Sequence, residues 1–181
     1  ARSVADVAAV VVALHRQRVA SWLVMRQPDA PESWVALSGR SPTAHYASIE
    51  RVSHQLPTLD GRADVVVHGD LHDKNVFCDG SQVSLIDLDG LALGAREDDV
   101  ANLAVHLELR NLQGRTGLPV GARTAELYCA YERLESLDLE RLTAVEAHTW
   151  FRLACLYQYR AASQWLVPTL LDLATRPRSE W

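Results

Sequence analysis

The chain has 181 residues, of which 48% are hydrophobic and 23% are charged, as is ordinary for a globular protein that buries one sizeable core. No apolar run approaches the roughly 18 residues that a membrane span needs, and no basic leader with a cleavage site indicates a signal peptide. The net charge of −5 without a basic stripe argues against a nucleic-acid partner. Three cysteines without a CxxC pair indicate reduced thiols, so we expect a cytoplasmic protein with no membrane partner.

The first 60 residues predict helices separated by a loop. Apolar residues at helical spacing predict a first helix from Val4 to about Met25. Residues 27–41 contain two prolines and a glycine, and they predict a loop with a short helical turn. Ser41 and Pro42 are typical of a helix start, and the helix that follows is expected to end at the next proline.

The pattern then changes to β and back to helix. Val65–Val67 predicts a short buried strand, and residues 76–86 predict a β-hairpin around an Asp79-Gly80 turn. The remaining chain predicts four helices, at Glu97–Leu112, Ala122–Leu134, Leu139–Leu166 and Thr169–Ala174. We therefore expect a single domain over residues 1–181 that is mainly α with a small central β-hairpin, an α+β fold class.

A polar segment, HGDLHDKN, follows the buried strand directly and covers residues 68–75. It allows three interpretations. His68, Asp70 and His72 at alternate positions could form a metal site. Asp70 and Asn75 could belong to a phosphoryl-transfer loop. The segment could also be a polar surface loop.

The predicted hairpin favours the second interpretation. Antiparallel strands bring the start of the first strand beside the end of the second. Asn75 precedes the first strand and Asp87 follows the second, so the two side chains are expected to be neighbours, with Asp70 on the incoming loop. An amide oxygen and a carboxylate at one point suit Mg²⁺, and a second carboxylate could orient a hydroxyl or accept its proton.

This pattern resembles the aminoglycoside phosphotransferase and choline kinase family, which has the protein-kinase-like fold. The family motif HGDxxxxN corresponds to His68–Asp70 and Asn75, the motif IDxD to Ile86–Asp89, and the later aspartate at a helix start to Asp99. The resemblance covers the helical C-terminal lobe of that fold. It implies ATP as co-substrate, Mg²⁺ as cofactor and a small-molecule hydroxyl as acceptor, such as an aminoglycoside, another sugar, choline or a metabolite like homoserine.

The resemblance also implies roles for individual residues. Asp70 would be the catalytic aspartate that contacts the acceptor hydroxyl. Asn75 and Asp87 would hold Mg²⁺ on the ATP phosphates, and Asp89 would assist more weakly. The structural residues of the catalytic loop would be His68 and Asp99. Lys74 is expected to be a solvated loop residue that can approach phosphate in the complex.

Three other functions remain open at this point. A metal-dependent hydrolase would use His68, Asp70 and His72, together with ligands from elsewhere. Asp87-Leu88-Asp89-Gly90 resembles the DxDG motif of haloacid dehalogenase-type phosphatases, although the lysine that such enzymes need downstream is absent from the sequence. A kinase-like protein can also act as a non-catalytic binding or scaffold protein.

Two parts of a complete kinase do not occur in these 181 residues. The sequence contains no GxGxxG string, and its one lysine, Lys74, lies inside the predicted catalytic loop. A kinase of this fold takes a glycine-rich loop and a phosphate-binding lysine from an N-terminal β lobe. We therefore expect this chain to be the catalytic lobe without that β lobe, to be inactive alone, and to self-associate through the exposed lobe interface.

Overall fold

The computed structural model describes residues 3–28, 30–40, 43–80, 82–115 and 121–176. Its helices are α1 Val4–His15, α2 Pro31–Gly39, α3 Tyr46–Ser53, α4 Arg96–Leu112, α5 Ala122–Glu132, α6 Leu139–Tyr157 and α7 Val167–Thr175. Its strands are β1 Val65–Val67, β2 Val76–Cys78, β3 Val83–Leu85 and β4 Ala92–Gly94. The predicted class, mainly α with a small β-hairpin, is confirmed.

The chain divides into two compact units. Unit 1 contains Ala1–Gln27 and Asp60–Leu142, and unit 2 contains Pro28–Leu59 and Thr143–Trp181. The predicted single domain over residues 1–181 stays a prediction. All residues predicted for the site lie in unit 1.

Unit 1 is built from two small antiparallel sheets with α1 and α4 packed on them, and α5 packs on α1 and α4. β2 and β3 form the predicted hairpin, with Val76 opposite Leu85. The buried strand β1 pairs with β4, a strand that the sequence analysis missed. The β1 strand ends at Val67, immediately before His68, so this pairing sets where the polar loop begins.

The predicted extension of the first helix to Met25 is wrong, because α1 ends at His15. The Ser3 capping box at its start is present. Beyond the helix, the backbone of Val24 accepts a hydrogen bond from Leu93 N–H, and Arg26 N–H donates to the Leu93 carbonyl. These residues therefore pair with the second edge of β4 instead of continuing the helix. Nothing in the pattern of residues 4–25 predicts this pairing.

Unit 2 contains α2, α3, the larger part of α6, and α7. Residues predicted as a loop form α2, which starts with Pro31 at its first position, where a missing N–H has no cost. The predicted helix start at Ser41 and Pro42 lies outside the described residues, and α3 begins at Tyr46.

The predicted helix from Leu139 to Leu166 is interrupted. The α6 helix ends at Tyr157, and a 3-10 helix covers Ala161–Leu166. The side chain of Gln164 donates to the Gln158 carbonyl at 2.6 Å, which satisfies a backbone acceptor that the helix end leaves open. Pro168 then sits in the first turn of α7, where proline is tolerated.

The three cysteines are free thiols, as expected. Cys78 and Cys129 are exposed, whereas Cys155 is buried, and burial raises the pKa of the Cys155 thiol to about 11. In the part of the chain that the structure describes, no helix is both long enough and apolar enough to cross a membrane.

Candidate functional site

Asp99, in the first turn of α4, fixes the backbone at the start of the polar loop. Its buried carboxylate accepts hydrogen bonds from the backbone N–H groups of His68, at 2.6 Å, and Gly69, at 3.0 Å. A carboxylate near a helix N-terminus is also stabilised by the helix dipole. Where the loop begins after β1, its first two N–H groups are therefore bound to a side chain of α4.

His15, the last residue of α1, binds the same carboxylate. Its Nε2 lies 3.1 Å from Asp99 Oδ2, and its Nδ1 lies 2.6 Å from the Tyr131 hydroxyl oxygen. A carboxylate only accepts, so Nε2 donates to Asp99, and Nδ1 shares a hydrogen bond with the Tyr131 hydroxyl. Burial raises the pKa of Tyr131 above its usual range, which keeps that phenol protonated. Tyr131, His15 and Asp99 thus form one buried chain of hydrogen bonds that ends on the loop backbone.

Breaking this buried chain should destabilise the fold. We expect His15→Ala to lower the free energy of unfolding by about 3–5 kcal/mol, because it removes the ion-pair partner of a buried carboxylate and leaves it only two backbone N–H groups. Tyr131→Phe should cost about 1–3 kcal/mol, because it leaves one ring nitrogen of His15 unsatisfied. Urea unfolding monitored by circular dichroism measures both. The matched control is His54→Ala at an exposed position, expected to change stability by less than about 0.5 kcal/mol. Equal stability of the His15 and His54 variants would contradict this role.

His68 links the loop to the end of the hairpin. The ring is fully buried, and its Nε2 lies 2.9 Å from the Ile86 carbonyl oxygen. A carbonyl only accepts, so Nε2 donates, and Nδ1 then accepts from the Asp70 backbone N–H at 3.4 Å. Both ring nitrogens are engaged, which leaves neither for the metal ligation that a hydrolase site would require.

Asn75 joins Asp70 to the same hairpin end. Its side chain is buried, and its Nδ2 donates to the Asp70 backbone carbonyl at 3.0 Å. The Ile86 N–H donates to the Asn75 carbonyl at 3.0 Å, which extends the hairpin pairing by one residue. Asp87 is the residue that directly follows this last pair. The amide oxygen of Asn75 is the atom that this arrangement leaves for other ligands.

Three carboxylates on this loop and turn face solvent. Asp70, Asp87 and Asp89 are all exposed, and the Asp70 side chain keeps 57% of its accessible surface, with one oxygen 3.8 Å from His72 Nε2. Asp87 has φ +62° and ψ +57°, and among the described residues it is the one non-glycine with positive φ. Such a conformation is unfavourable by about 1–3 kcal/mol and is common at binding sites.

Two glycines allow the loop and the turn to touch. Gly69 has φ +85°, and a methyl group there would overlap the Gly90 carbonyl oxygen. A methyl group on Gly90 would lie 2.9 Å from the His68 carbonyl oxygen. The Arg26 guanidinium donates a hydrogen bond to the Gly69 carbonyl beside this contact. The backbone of the loop is therefore packed directly against the turn that carries Asp87 and Asp89.

The sequence model of the phosphotransferase enzyme family matches residues 2–144, a span that includes the whole of this loop, hairpin and turn. The chain belongs to that family. The resemblance stated from the motifs is thereby confirmed. No curated protein matches the chain significantly in sequence.

Three solved structures of kinases or kinase family proteins share the fold. A choline/ethanolamine kinase family protein from Mesorhizobium loti has a TM-score of 0.66 at 14% identity, over 98% of this chain and 64% of that one. A choline kinase from Streptococcus pneumoniae has a TM-score of 0.59 at 14% identity, over 99% of this chain and 64% of that one. An amicoumacin kinase, solved in complex with AMP-PNP, Ca²⁺ and Ami, has a TM-score of 0.61 at 14% identity, over 95% of this chain and 57% of that one.

These likenesses show the fold, which is the protein-kinase-like fold predicted from the motifs. The chain spans less than two thirds of the length of each of these three solved proteins. What the phosphotransferase family motifs imply for individual residues has to be argued from this chain's own geometry.

That geometry connects the predicted site residues through the backbone. Asp99 holds the peptide groups of His68 and Gly69, and Asn75 binds Asp70 and lies opposite Ile86. Lys74 is exposed, and its backbone N–H donates to His72 Nδ1 at 3.3 Å.

The sequence analysis missed other residues that hold the loop. His15 and Tyr131 support Asp99, Arg26 binds the Gly69 carbonyl, and Asn102 donates to the Leu71 carbonyl at 2.7 Å. Each reaches the loop from a distant part of the sequence. The one local signal was the i, i+3 spacing of Asp99 and Asn102 on a predicted helix, which places both on one face.

The donor set fits Mg²⁺. Asn75 offers an amide oxygen, and Asp87 and Asp89 offer exposed carboxylates on the adjoining turn. Within the described ranges, no three His, Cys, Asp or Glu side chains gather into a metal-binding cluster. A cation bound by few protein oxygens and several waters is the usual arrangement for Mg²⁺.

Proposed function

We propose that this chain is the catalytic lobe of an ATP-dependent phosphotransferase that moves the γ-phosphoryl group of ATP to a hydroxyl of a small molecule. Membership of the phosphotransferase enzyme family supports the class of reaction. The observation that carries the proposal is the pairing of Asn75 with Ile86 at 3.0 Å, together with the bond from Asn75 to the Asp70 carbonyl. One buried residue thereby joins the two parts of the site: its side-chain amide binds the loop that carries Asp70, and its backbone carbonyl binds the strand end that carries Asp87.

Asp70 is proposed to act on the acceptor. Its exposed carboxylate can accept a hydrogen bond from the acceptor hydroxyl and take up its proton as the oxygen attacks phosphorus. The bond from phosphorus to the ADP oxygen breaks as the new oxygen–phosphorus bond forms. The backbone N–H of Asp70 is bound to His68, which keeps the residue in place while the side chain remains accessible.

Asn75 and Asp87 are proposed to hold Mg²⁺, and Asp89 to assist them. The bound Mg²⁺ would neutralise charge on the ATP phosphates. Asp87 would be kept in its left-handed conformation by the pairing at Ile86 before it and the 3-10 turn Leu88–Gly90 after it. Lys74 would be free to approach a phosphate group, because its side chain faces solvent.

The dehalogenase-type alternative finds no support in the surroundings of Asp87. That family needs a lysine downstream of the motif, whereas the one lysine of the sequence, Lys74, lies upstream of Asp87. The order Asp87, Leu88, Asp89, Gly90 instead forms a tight 3-10 turn that packs on the polar loop.

Part of the ATP site is proposed to come from a second lobe. With one lysine and no GxGxxG string in 181 residues, the loop over the phosphates and the phosphate-binding lysine are proposed to come from a β lobe. We expect the 181 residues alone to bind Mg·ATP weakly and to form ADP far more slowly than the about 1–100 s⁻¹ of typical kinases.

The direct experiment is an acceptor panel with the full-length protein. Aminoglycosides, hexoses and hexosamines, choline and hydroxyl amino acids would each be incubated with Mg·ATP, with ADP release followed by a coupled assay. We expect one class to give a product that is heavier by one phosphoryl group in mass spectrometry, in equal amount to ADP. Nucleotide binding without any product across the panel would favour the binding or scaffold alternative. Release of inorganic phosphate from phosphorylated compounds would favour a phosphatase.

A further inference from the structure

One face of α4 follows the polar loop residue by residue. Four side chains on this helix, spaced three or four residues apart, contact successive positions of the loop. In chain order they are Asp99 to His68 and Gly69, Asn102 to Leu71, His106 to His72, and Arg110 to Asp73. The first contact is accounted for by the family motif. The last, between Arg110 and Asp73, is not, and it lies two residues before Asn75.

The Arg110–Asp73 pair has the geometry of a strong ion pair. Arg110 Nε lies 2.8 Å from Asp73 Oδ2, and Nη2 lies 3.0 Å from Oδ1, so two parallel hydrogen bonds form. The side chains keep 17% and 23% of their accessible surface. Arg110 Nη1 also donates to Gln113 at 3.1 Å, which fixes the guanidinium plane. Surface ion pairs contribute little unless their geometry is bidentate, as it is between Arg110 and Asp73.

Asp73 begins the short 3-10 turn that ends in Asn75. Within it, Asn75 N–H donates to the His72 carbonyl at 2.9 Å, and the Asn75 side chain reaches back to the Asp70 carbonyl. A turn of three residues has few internal bonds, so its orientation depends on what anchors its first residue. Here that anchor is Arg110, and the residue that the turn presents is the proposed metal ligand.

We infer that Arg110 and Asp73 are positioning residues for the cation site, because their ion pair holds the turn that presents the Asn75 amide oxygen. This inference rests on the proposed function. Neither residue touches the cation or the substrate. Loss of the pair would let the turn rotate and would weaken cation binding while leaving the core intact.

The test measures cation affinity separately from fold and turnover. The full-length protein would be titrated with Mn²⁺ in the presence of AMP-PNP, and the concentration of free Mn²⁺ would be measured by electron paramagnetic resonance. We expect Arg110→Gln and Asp73→Asn each to weaken Mn²⁺ binding by about 10-fold or more, the range for groups that orient metal ligands. The double variant should be no worse than either single variant, because both remove one interaction. The midpoint of thermal unfolding should change by only a few degrees.

Arg123→Gln is the matched control. Arg123 forms an exposed ion pair with Glu126 at 3.8 Å on α5, with no contact to the loop, and its variant should keep wild-type Mn²⁺ affinity. If Arg110→Gln does not fold, Arg110→Lys keeps the charge and the aliphatic stem but loses the parallel bonds, and it should still weaken binding by several-fold.

The outcomes separate this inference from the proposed function. Wild-type Mn²⁺ affinity in folded Arg110 and Asp73 variants would overturn the inference and leave the proposed function standing. If ADP formation by the wild-type protein depended on a cation bound at another site, both the inference and the proposed function would be wrong. Additive losses in the double variant would also overturn the inference, because the two residues would then act independently.

Discussion

Asp70→Asn and Asp87→Asn are expected to abolish most phosphoryl transfer while leaving the fold unchanged. Both carboxylates are exposed, so neither substitution removes a core contact. Asn keeps the size of Asp and tolerates the left-handed conformation that residue 87 adopts at φ +62°. Asp70→Asn should lower kcat by about 10²–10⁴-fold, because the side chain can no longer accept the hydroxyl proton. It should bind nucleotide as the wild type does.

Asp87→Asn should act differently, because a neutral amide binds Mg²⁺ more weakly than a carboxylate. We expect a loss of at least about 10²-fold in turnover, the size seen when one group that stabilises transition-state charge is removed. Part of the activity should return at high Mg²⁺ concentration. A coupled ADP assay across Mg²⁺ concentrations, with calorimetry for nucleotide binding, distinguishes the two variants.

The control for both variants is Asp79→Asn at the opposite end of the same hairpin. Asp79 accepts a hydrogen bond from Gln82 N–H at 2.9 Å in the turn, three strand pairs away from the end that carries Asn75 and Asp87. Its variant should keep wild-type turnover. Near-normal activity in either Asp70→Asn or Asp87→Asn would show that the assigned residue has no such role.

Gly69→Ala is expected to be the most destabilising single-methyl change in the site. The positive φ of +85° disfavours any side chain, at a cost of roughly 1–2 kcal/mol. The added methyl group would also overlap the Gly90 carbonyl, and forcing the two backbones apart adds about 1–3 kcal/mol. The total loss in the free energy of unfolding should be about 2–5 kcal/mol.

Gly80→Ala isolates the first effect, the cost of a side chain at positive φ. Gly80 has a similar φ of +90°, but a methyl group there has no neighbour within 4 Å. Its variant should lose only the roughly 1–2 kcal/mol that comes from the backbone conformation. Urea unfolding of the two variants side by side measures the contact between the loop and the turn. Equal losses would mean that this contact contributes nothing to stability.

Parts of the fold could be predicted because their signals are local. The hairpin follows from strand-forming residues around Asp79-Gly80, and α4 and α5 follow from apolar spacing that begins and ends within two residues of the observed bounds. The spacing of Asp70, Asn75, Asp87 and Asp99 carried the family resemblance because a hairpin converts that spacing into proximity.

The errors occur where distant segments decide the local structure. The first helix stops at His15 because the side chain is bound to Asp99 and Tyr131, and because Val24–Arg26 pairs with Leu93 instead of continuing the helix. The residues around 160 leave helical geometry where Gln164 binds the Gln158 carbonyl. Asp99, Tyr131 and Leu93 lie far outside the window over which the periodicity of the first helix is assessed. Gln164 lies close to Gln158, but a hydrogen bond from a side chain to the backbone leaves no sign in apolar periodicity.

The same reason explains which site residues were missed. A single histidine at the end of an apolar helix gives no sign that it supports an aspartate 84 positions later. Arg110 and Asp73 are 37 residues apart, and an arginine on an amphipathic helix is ordinarily a solvated residue. Their roles depend on α4 lying along the loop, which only the tertiary fold establishes.

The measurement that tests the central claim most directly is the position of the nucleotide-bound cation. Isotope-labelled full-length protein would be mixed with ATP and substoichiometric Mn²⁺, and line broadening would be recorded for each backbone amide. The account predicts that the amides of Asp70, Asn75 and Asp87 broaden first, and that Asp87→Asn greatly reduces the effect. Broadening centred elsewhere, for example on the acidic residues Asp60 and Asp138, with the amides of residues 68–75 and 86–89 unaffected, would contradict it.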